Sequence, residues 1–310
     1  MISLSGLAIA VGMLVDNSVV VIENIFNEVE HEYEVTPWDG KTATEPAYDA
    51  TTQTYTVSNG AELAWIAGVV NGTITRASAD PLAGHTIVLA NDIDLSNMEW
   101  TPIGSANTDH GFMANFDGNG YSIKNLNITN ITPDADGYVY AGLFGVTEGI
   151  DANNENYIKD LTIQNVKIST EGHIVAAAIA YPYYTEVENV TVQGNVNIKG
   201  GDYTSGVLAY TRRCVNAKDI AIKANQGSVI DGQTTVGGVI SDIQMNGGLT
   251  ANYSNFEATD LTIKGVKSVG GISGIIGGQT VHNVTVENVT GATVIIGGAY
   301  DTGAAVEAKI

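Results

Sequence analysis

The sequence predicts an all-β chain: a right-handed parallel β-helix solenoid with a short N-terminal capping helix, preceded by one apolar helix. Three observations carry this expectation. Charged residues make up only 15% of the chain while 36 of its 310 residues are Gly, about 12% against a usual 7% or so, which favours strands and tight turns. A short pattern, Asn or Asp followed by an aliphatic residue, usually Thr, and a second aliphatic, recurs along the chain. A second pattern, a small residue followed by apolar ones, lies between the copies and keeps its order. Apolar content of 44% supports a packed core rather than disorder.

Residues 1–27 stand apart from this scheme. Met1 to Ile25 is apolar over 25 residues, roughly 37 Å as a helix at about 1.5 Å per residue, enough to cross a bilayer. No Lys or Arg precedes the apolar core and no A-x-A pattern follows, so it does not read as a signal peptide. Asp16 sits in its middle, and an acid within a span ordinarily marks a proton or ion path. The run from Gly6 to Ile25 resembles the fourth transmembrane helix of resistance-nodulation-division efflux permeases. That resemblance implies that Asp16 stands at the proton-relay carboxylate, with Asn17 where many members carry a second acid. It covers only about the first 27 residues; no lysine partner and no further span follow, so transport is not expected. Two readings stay open: a fusion, misassembled frame or mispredicted start, and a single-span membrane anchor.

Glu28, Glu30, Glu32 and Glu34 surround His31, and residues 28–35 read as a solvated acidic linker. The β-helix domain is expected over residues 36–310 and should fold without residues 1–30. Within it, Thr54 to Val57 reads as a short strand. Asn59 and Glu62 have capping-box spacing, and Leu63, Ile66, Ala67 and Val70 share a helical face ending at Asn71-Gly72. Such an amphipathic helix would close the open end of a solenoid. Thr86 to Leu89, Ile93 to Leu95 and Phe112 to Phe116 read as strands of early coils, and Asp117-Gly118-Asn119-Gly120 as a turn.

The first repeat pattern starts at Asn125, Asp160, Asn189, Asp219, Asp260 and Asn283, with offsets of about 35, 29, 30, 41 and 23 residues, in the solenoid range but irregular. The alternation has period two, aliphatics facing one way and Thr the other. One inward ladder is expected from Leu126, Leu161, Val190, Ile220, Leu261 and Val284. A second is expected from Ile128, Ile163, Val192, Ile222, Ile263 and Val286. The interleaved pattern reads Gly142 to Gly145, Ala177 to Ala180, Gly206 to Ala209, Gly238 to Ile240 and Gly271 to Gly274, where Gly permits tight corners.

The series Ala61 to Ile66, Asn91 to Leu95, Trp100 to Gly104, Phe116 to Gly120 and Gly142 to Gly145 resembles GLUG-motif proteins over about residues 36–300. The resemblance implies a bacterial surface or secreted protein with a pectin-lyase-like β-helix, adhesin-like or a passenger beside separate catalytic domains. It implies no activity of its own. The span Val294 to Ile310 reads as another coil without a closing segment, so end-to-end self-association, or continuation of the chain, is expected.

Against this frame the chemistry is sparse. With 13 basic and 34 acidic residues the net charge is −21, which argues against nucleic acid. The single Cys214 excludes an intrachain disulfide framework. Asp219 and Asp260, stacked in neighbouring copies, would lie about 5 Å apart, a spacing used by retaining glycosidases; a turn position preferring Asx is the simpler reading. Asp117 to Gly120 and Asp134 to Gly137 have part of a calcium loop but no later bidentate Glu. No metal or cofactor is expected. Arg212-Arg213 reads as two solvated cations on a turn.

Aromatic residues are the better hint. Tyr181, Tyr183 and Tyr184 are placed in a loop between two strand patterns, and Tyr138 and Tyr140 in the preceding inserted loop. Tyr offers a flat apolar face and a hydroxyl, suited to sugar stacking and protein contacts. The expected function is a non-catalytic cell-surface or secreted module binding glycan or protein through these five tyrosines, membrane-anchored if the N-terminal segment is genuine. The alternatives are a carbohydrate-active β-helix enzyme, a polysaccharide lyase or glycosidase, and a fragment derived from a proton-driven efflux permease.

Overall fold

The computed structural model describes residues 35–75, 82–104, 111–131, 133, 137–151, 153–214, 216–244, 252–277, 281–287 and 290–291. The apolar helix expected at residues 1–27 with its Asp16, the last coil at 292–310 and the acids Asp134 and Asp136 lie outside the described residues. The chain divides after Val35, and the unit from Thr36 onward is the solenoid.

That unit is a parallel β-solenoid of about six turns. Its long sheet stacks Thr54–Val57, Thr86–Leu89, Asn115–Asp117, Asn156–Ser169, Thr185–Lys199, Asn216–Asp231, Asn252–Lys264 and Val281–Glu287. A second sheet, here the corner sheet, stacks Tyr140–Ala141, Ile174–Ala176, Tyr203–Ser205, Thr235–Gly237 and Ser268–Gly270. The third, here the tyrosine sheet, stacks Phe144–Glu148, Ile179–Tyr183, Leu208–Arg212, Ile240–Gln244 and Ser273–Gly277. From the coil that begins with Asn115–Asp117 onward, the chain visits the three in that order. Pairing is parallel between coils; Ala47–Asp49 pairs antiparallel with Thr54–Val57 at the N-terminal end.

Period-two burial explains the strands. Ile158, Leu161 and Ile163 are fully or almost fully buried while the residues between them are partly exposed. The ladders differ from the expected ones, however. Leu161 stacks on Val190, then Ile220, then Phe256 and the position of Val284. Leu126 instead faces Val166, and Leu261 faces Ser228. The second expected ladder breaks in the same way, because Ile128 faces Ile168 and Ile222 faces Ala258.

The cause is that each long strand bends twice, not once. Asp160, Asn189, Asp219 and Asn255 occupy one column of positive φ (52° to 60°). Asn125, Asn165, Gly194, Gly227 and Asp260 occupy a second, with φ from 55° to 90°. Left-handed backbone suits Gly and is tolerated by Asn and Asp, so both columns draw on the same residue types. The Asx-aliphatic pattern therefore occurs at two places per coil, which accounts for the irregular offsets. Asp219 and Asp260 belong to different columns and form no carboxylate pair: Asp219 accepts from Asn255 Nδ2 at 2.6 Å.

The capping helix runs Gly60–Val70. Asn59 Oδ1 accepts from Glu62 N at 3.0 Å, while Glu62 Oε2 takes the Ser58 N–H. It is not amphipathic as expected. Trp65, Gly68 and Val69 are buried along with Leu63, Ile66 and Val70. Trp38 lies against Gly60 and Ile74 against Gly68 so closely that a Cβ at either glycine would come within 2.6 Å of them. The segments before and after the helix thus cover its outer side. The corner glycines also act differently from expectation: a Cβ on Gly238 would fall 1.9 Å from Gly271 O, and on Gly206 2.3 Å from Gly238 O. Close approach of successive coils, rather than a special φ, demands Gly there.

Candidate functional site

The long sheet carries charged pairs between coils on its outer face, Lys124–Asp92, Lys159–Asp117, Lys218–Glu188 and Lys223–Glu257. They are part-exposed and add little stability. The other two sheets carry rings. Tyr181 and Tyr183 are not in a loop; they alternate on the strand Ile179–Tyr183, and Tyr140 opens the strand Tyr140–Ala141. Tyr184 follows the strand at φ 49°. Register then adds two tyrosines that the sequence reading did not select. Ile179 pairs with Leu208, which sets Tyr210 beside Tyr181, and Ile174 pairs with Tyr203.

The result is an unbroken chain of ring contacts over three coils. Tyr138 meets Tyr140 at 6.3 Å between centroids and His173 at 5.1 Å. Tyr140 meets Tyr181 at 5.9 Å. Tyr181 stacks on Tyr210 at 5.6 Å with only 10° between planes, and touches Tyr183 at 6.1 Å. Tyr183 meets Tyr184 edge-on at 4.6 Å, and Tyr210 meets Tyr203 at 4.7 Å. Under the rings lies a small apolar cluster separate from the main core: Ile174, Ala176, Ala180 and Ala209, with Tyr140, Tyr203 and Tyr210 packed on it. Its members come from both short sheets, so the tyrosines line the angle where the outer faces of those sheets meet.

The two arginines are part of this surface. Arg213 Nη1 donates to Tyr183 Oη at 3.0 Å and to Tyr184 Oη at 2.7 Å, its guanidinium lying 5.7 and 5.5 Å from the two ring centroids. Arg212 Nη1 reaches Tyr181 Oη at 3.5 Å. They are therefore not the free surface cations expected from the sequence. The Nε of each is buried with no hydrogen-bond partner.

Asp242 was also absent from the sequence reading. It follows Tyr210 in register on the next coil and is 1% exposed. Gln244 Nε2 donates to its Oδ2 at 3.1 Å; its Oδ1 has no partner. Burial raises its pKa to about 6. Burial also pushes Tyr210 up to about 12, with Tyr203 and the Asp242 carboxylate adding to the shift. Tyr203 is raised by burial first and Asp242 second. At the other end Glu148, beside Tyr183 in register, is raised by burial. Glu148 and Asp242 are three coils apart, about 14 Å along the axis alone at about 4.8 Å per coil, and are offset by two residues along the strand, wider than the paired carboxyls of glycosidases.

The turn at Asp117 to Gly120 uses its acid internally: Asp117 Oδ1 accepts from Asn119 N at 2.8 Å and Asp117 Oδ2 meets Lys159 at 3.1 Å. Among the described residues no cluster of three His, Cys, Asp or Glu could hold a metal ion, and no helix is long and apolar enough to cross a membrane.

Comparison with known proteins finds the two parts of the chain similar to different things. The AcrB/AcrD/AcrF family profile matches residues 1–70, so it runs from the N-terminal segment into the capping helix. Halomucin of Haloquadratum walsbyi is 36% identical over 107 residues, which is 34% of this chain and 1% of that protein. The chain thus spans a small fraction of the length of this relative. No solved structure matches.

Proposed function

We propose that the solenoid is a cell-surface or secreted module that binds glycan, without turnover, along the tyrosine band. The single observation that carries this reading is the continuous run of five tyrosine rings from Tyr138 to Tyr203, with Tyr183 and Tyr184 branching from Tyr181, over an apolar floor. The stacked rings leave their apolar edges and the exposed Tyr138 open to the C–H surface of sugar rings, and tyrosine hydroxyls add hydrogen bonds. The backbone of the strand-borne Tyr140, Tyr181 and Tyr183 is fixed by sheet pairing, so little backbone ordering opposes binding. The −21 net charge disfavours anionic polymers by long-range repulsion. The β-solenoid form and the partial likeness to halomucin fit a surface module built from repeats.

A glycan array with the natural chain and a variant carrying Tyr181→Ala, Tyr183→Ala and Tyr184→Ala tests this. Retention by the natural chain and loss by the variant, with unchanged thermal melting, is the expected result. Equal retention of both removes the band as the site. Release of reducing ends from a retained polysaccharide would establish turnover and replace the reading with an enzymatic one.

A further inference from the structure

The hydrogen-bonding character of the band changes along its length. At the Tyr183–Tyr184 end the phenol oxygens of Tyr183 and Tyr184 accept from Arg213, and that of Tyr181 from Arg212. A phenol that accepts from an arginine keeps its own O–H to donate, so the phenols at this end offer a row of donors, with the Glu148 carboxylate beside Tyr183 in register. At the opposite end the Tyr210 O–H is spent on Gln244 Oε1 at 2.9 Å, leaving its lone pairs. Asp242, 1% exposed and beside Tyr210 in register, contributes an oxygen with no partner. An ionised carboxylate is an acceptor only, and a buried one left unpaired is costly.

We propose that the band is directional and takes a neutral, polyhydroxylated polymer laid across its coils, one of whose hydroxyls donates to Asp242 Oδ1. A ring of the Tyr203–Tyr210 pair turns aside to admit that hydroxyl. This rests on the glycan reading above and deepens it. A sugar hydroxyl both donates and accepts, so one neutral chain satisfies the donor end and the acceptor end in turn. A polyanion meets Asp242, with Asp202 one residue before Tyr203, at the acceptor end. A polycation meets Arg212 and Arg213 at the other. Neither charge sign suits the whole length, since like-charge contact is costly at a desolvated site.

The test is binding to immobilised hydroxyethyl cellulose, mannan, dextran, polygalacturonate and glycol chitosan in 0.3 M NaCl, which suppresses long-range attraction to the acidic chain. The proteins are the natural chain, Asp242→Asn, Arg213→Met and the Tyr181, Tyr183, Tyr184 triple alanine variant, each checked by melting. The expected result is binding to at least one neutral polymer, weakened about tenfold by Asp242→Asn and by Arg213→Met. Stronger binding to polygalacturonate or glycol chitosan than to every neutral polymer overturns the neutral-ligand assignment. Unchanged binding by Asp242→Asn, with loss in the triple variant, overturns the Asp242 subsite and leaves glycan binding standing. Should Asp242→Asn melt early, Arg213→Met decides the directional claim alone, unchanged binding overturning it. No binding of any polymer by the natural chain overturns the glycan reading itself.

Discussion

Asn189 donates from Nδ2 to Asp160 Oδ1, one coil away, at 2.8 Å. Both residues sit at φ 52°, and the pair repeats as Asn255 to Asp219 at 2.6 Å. In the neighbouring column Asn165 Nδ2 reaches Asn125 Oδ1 at 3.3 Å, and Asn125 Nδ2 reaches Asp94 Oδ1 at 2.8 Å. Asx side chains are thus selected twice over, for tolerance of left-handed backbone and for a side-chain amide that bridges coils. A column of Asp alone would lack the donor.

Replacing Asn189 by Asp therefore sets two carboxylates against each other. The expected loss is roughly 1 kcal/mol at pH 7 and low salt, visible as a lower melting temperature that recovers when NaCl is added. Replacing Asn189 by Leu should cost about 1–2 kcal/mol from backbone strain, with no recovery in salt. If the Asp variant melts as the natural chain does at low salt, the ladder contributes nothing.

Two glycines separate close approach from backbone conformation. Gly238 has no room for a methyl group, whereas Gly120, at φ 80°, has nothing within 4 Å of a built Cβ. Gly120→Ala should cost on the order of 1 kcal/mol and give a folded protein in a urea titration. Gly238→Ala should force two coils apart and yield no cooperative transition. Equal midpoints for the two would mean that the coils yield more readily than their spacing implies.

Asp242 makes stability depend on pH. Its folded pKa of about 6 lies above its unfolded value near 3.9, so the folded form holds its proton longer. Between about pH 4 and 6 the folded state binds more protons, and this group's contribution falls as pH rises. The difference between the two values corresponds to on the order of 3 kcal/mol, lost by pH 7. Other carboxylates titrate too, so the measurement is the difference between the natural chain and Asp242→Asn. Asp242→Asn should gain relative stability from pH 4 to 6.5 and none above. A flat difference would show that the carboxylate is solvated.

The solenoid, its parallel pairing and the position of the capping helix were legible because period-two alternation and cap chemistry are local. The second bend was not. Asn125 and Asp260 carry there the same Asx-aliphatic pattern as the first column, while Gly194 and Gly227 break it, so in sequence the two columns read as one. Tyr181, Tyr183 and Tyr184 stood out as a cluster in sequence. Tyr203 and Tyr210 are isolated in sequence and join the band only through coil register. Arg212 and Arg213 form an ordinary basic pair until the strand places them over phenol oxygens. Nothing in the sequence around Asp242 signals burial, since its neighbours in register, Tyr210 and Ile275, come from the coils before and after it.

The three sheets are joined from coil to coil by hydrogen bonds that run along the solenoid axis. A pull on the two chain ends along that axis therefore loads one coil at a time, like a zipper, instead of all coils at once. Successive Asp160-type positions are 29 residues apart at their closest pairing, so each released coil would add about 100 Å of slack at roughly 3.4 Å per extended residue. Under tension such a module would lengthen in steps of one rung, giving way gradually while the coils not yet reached stay wound.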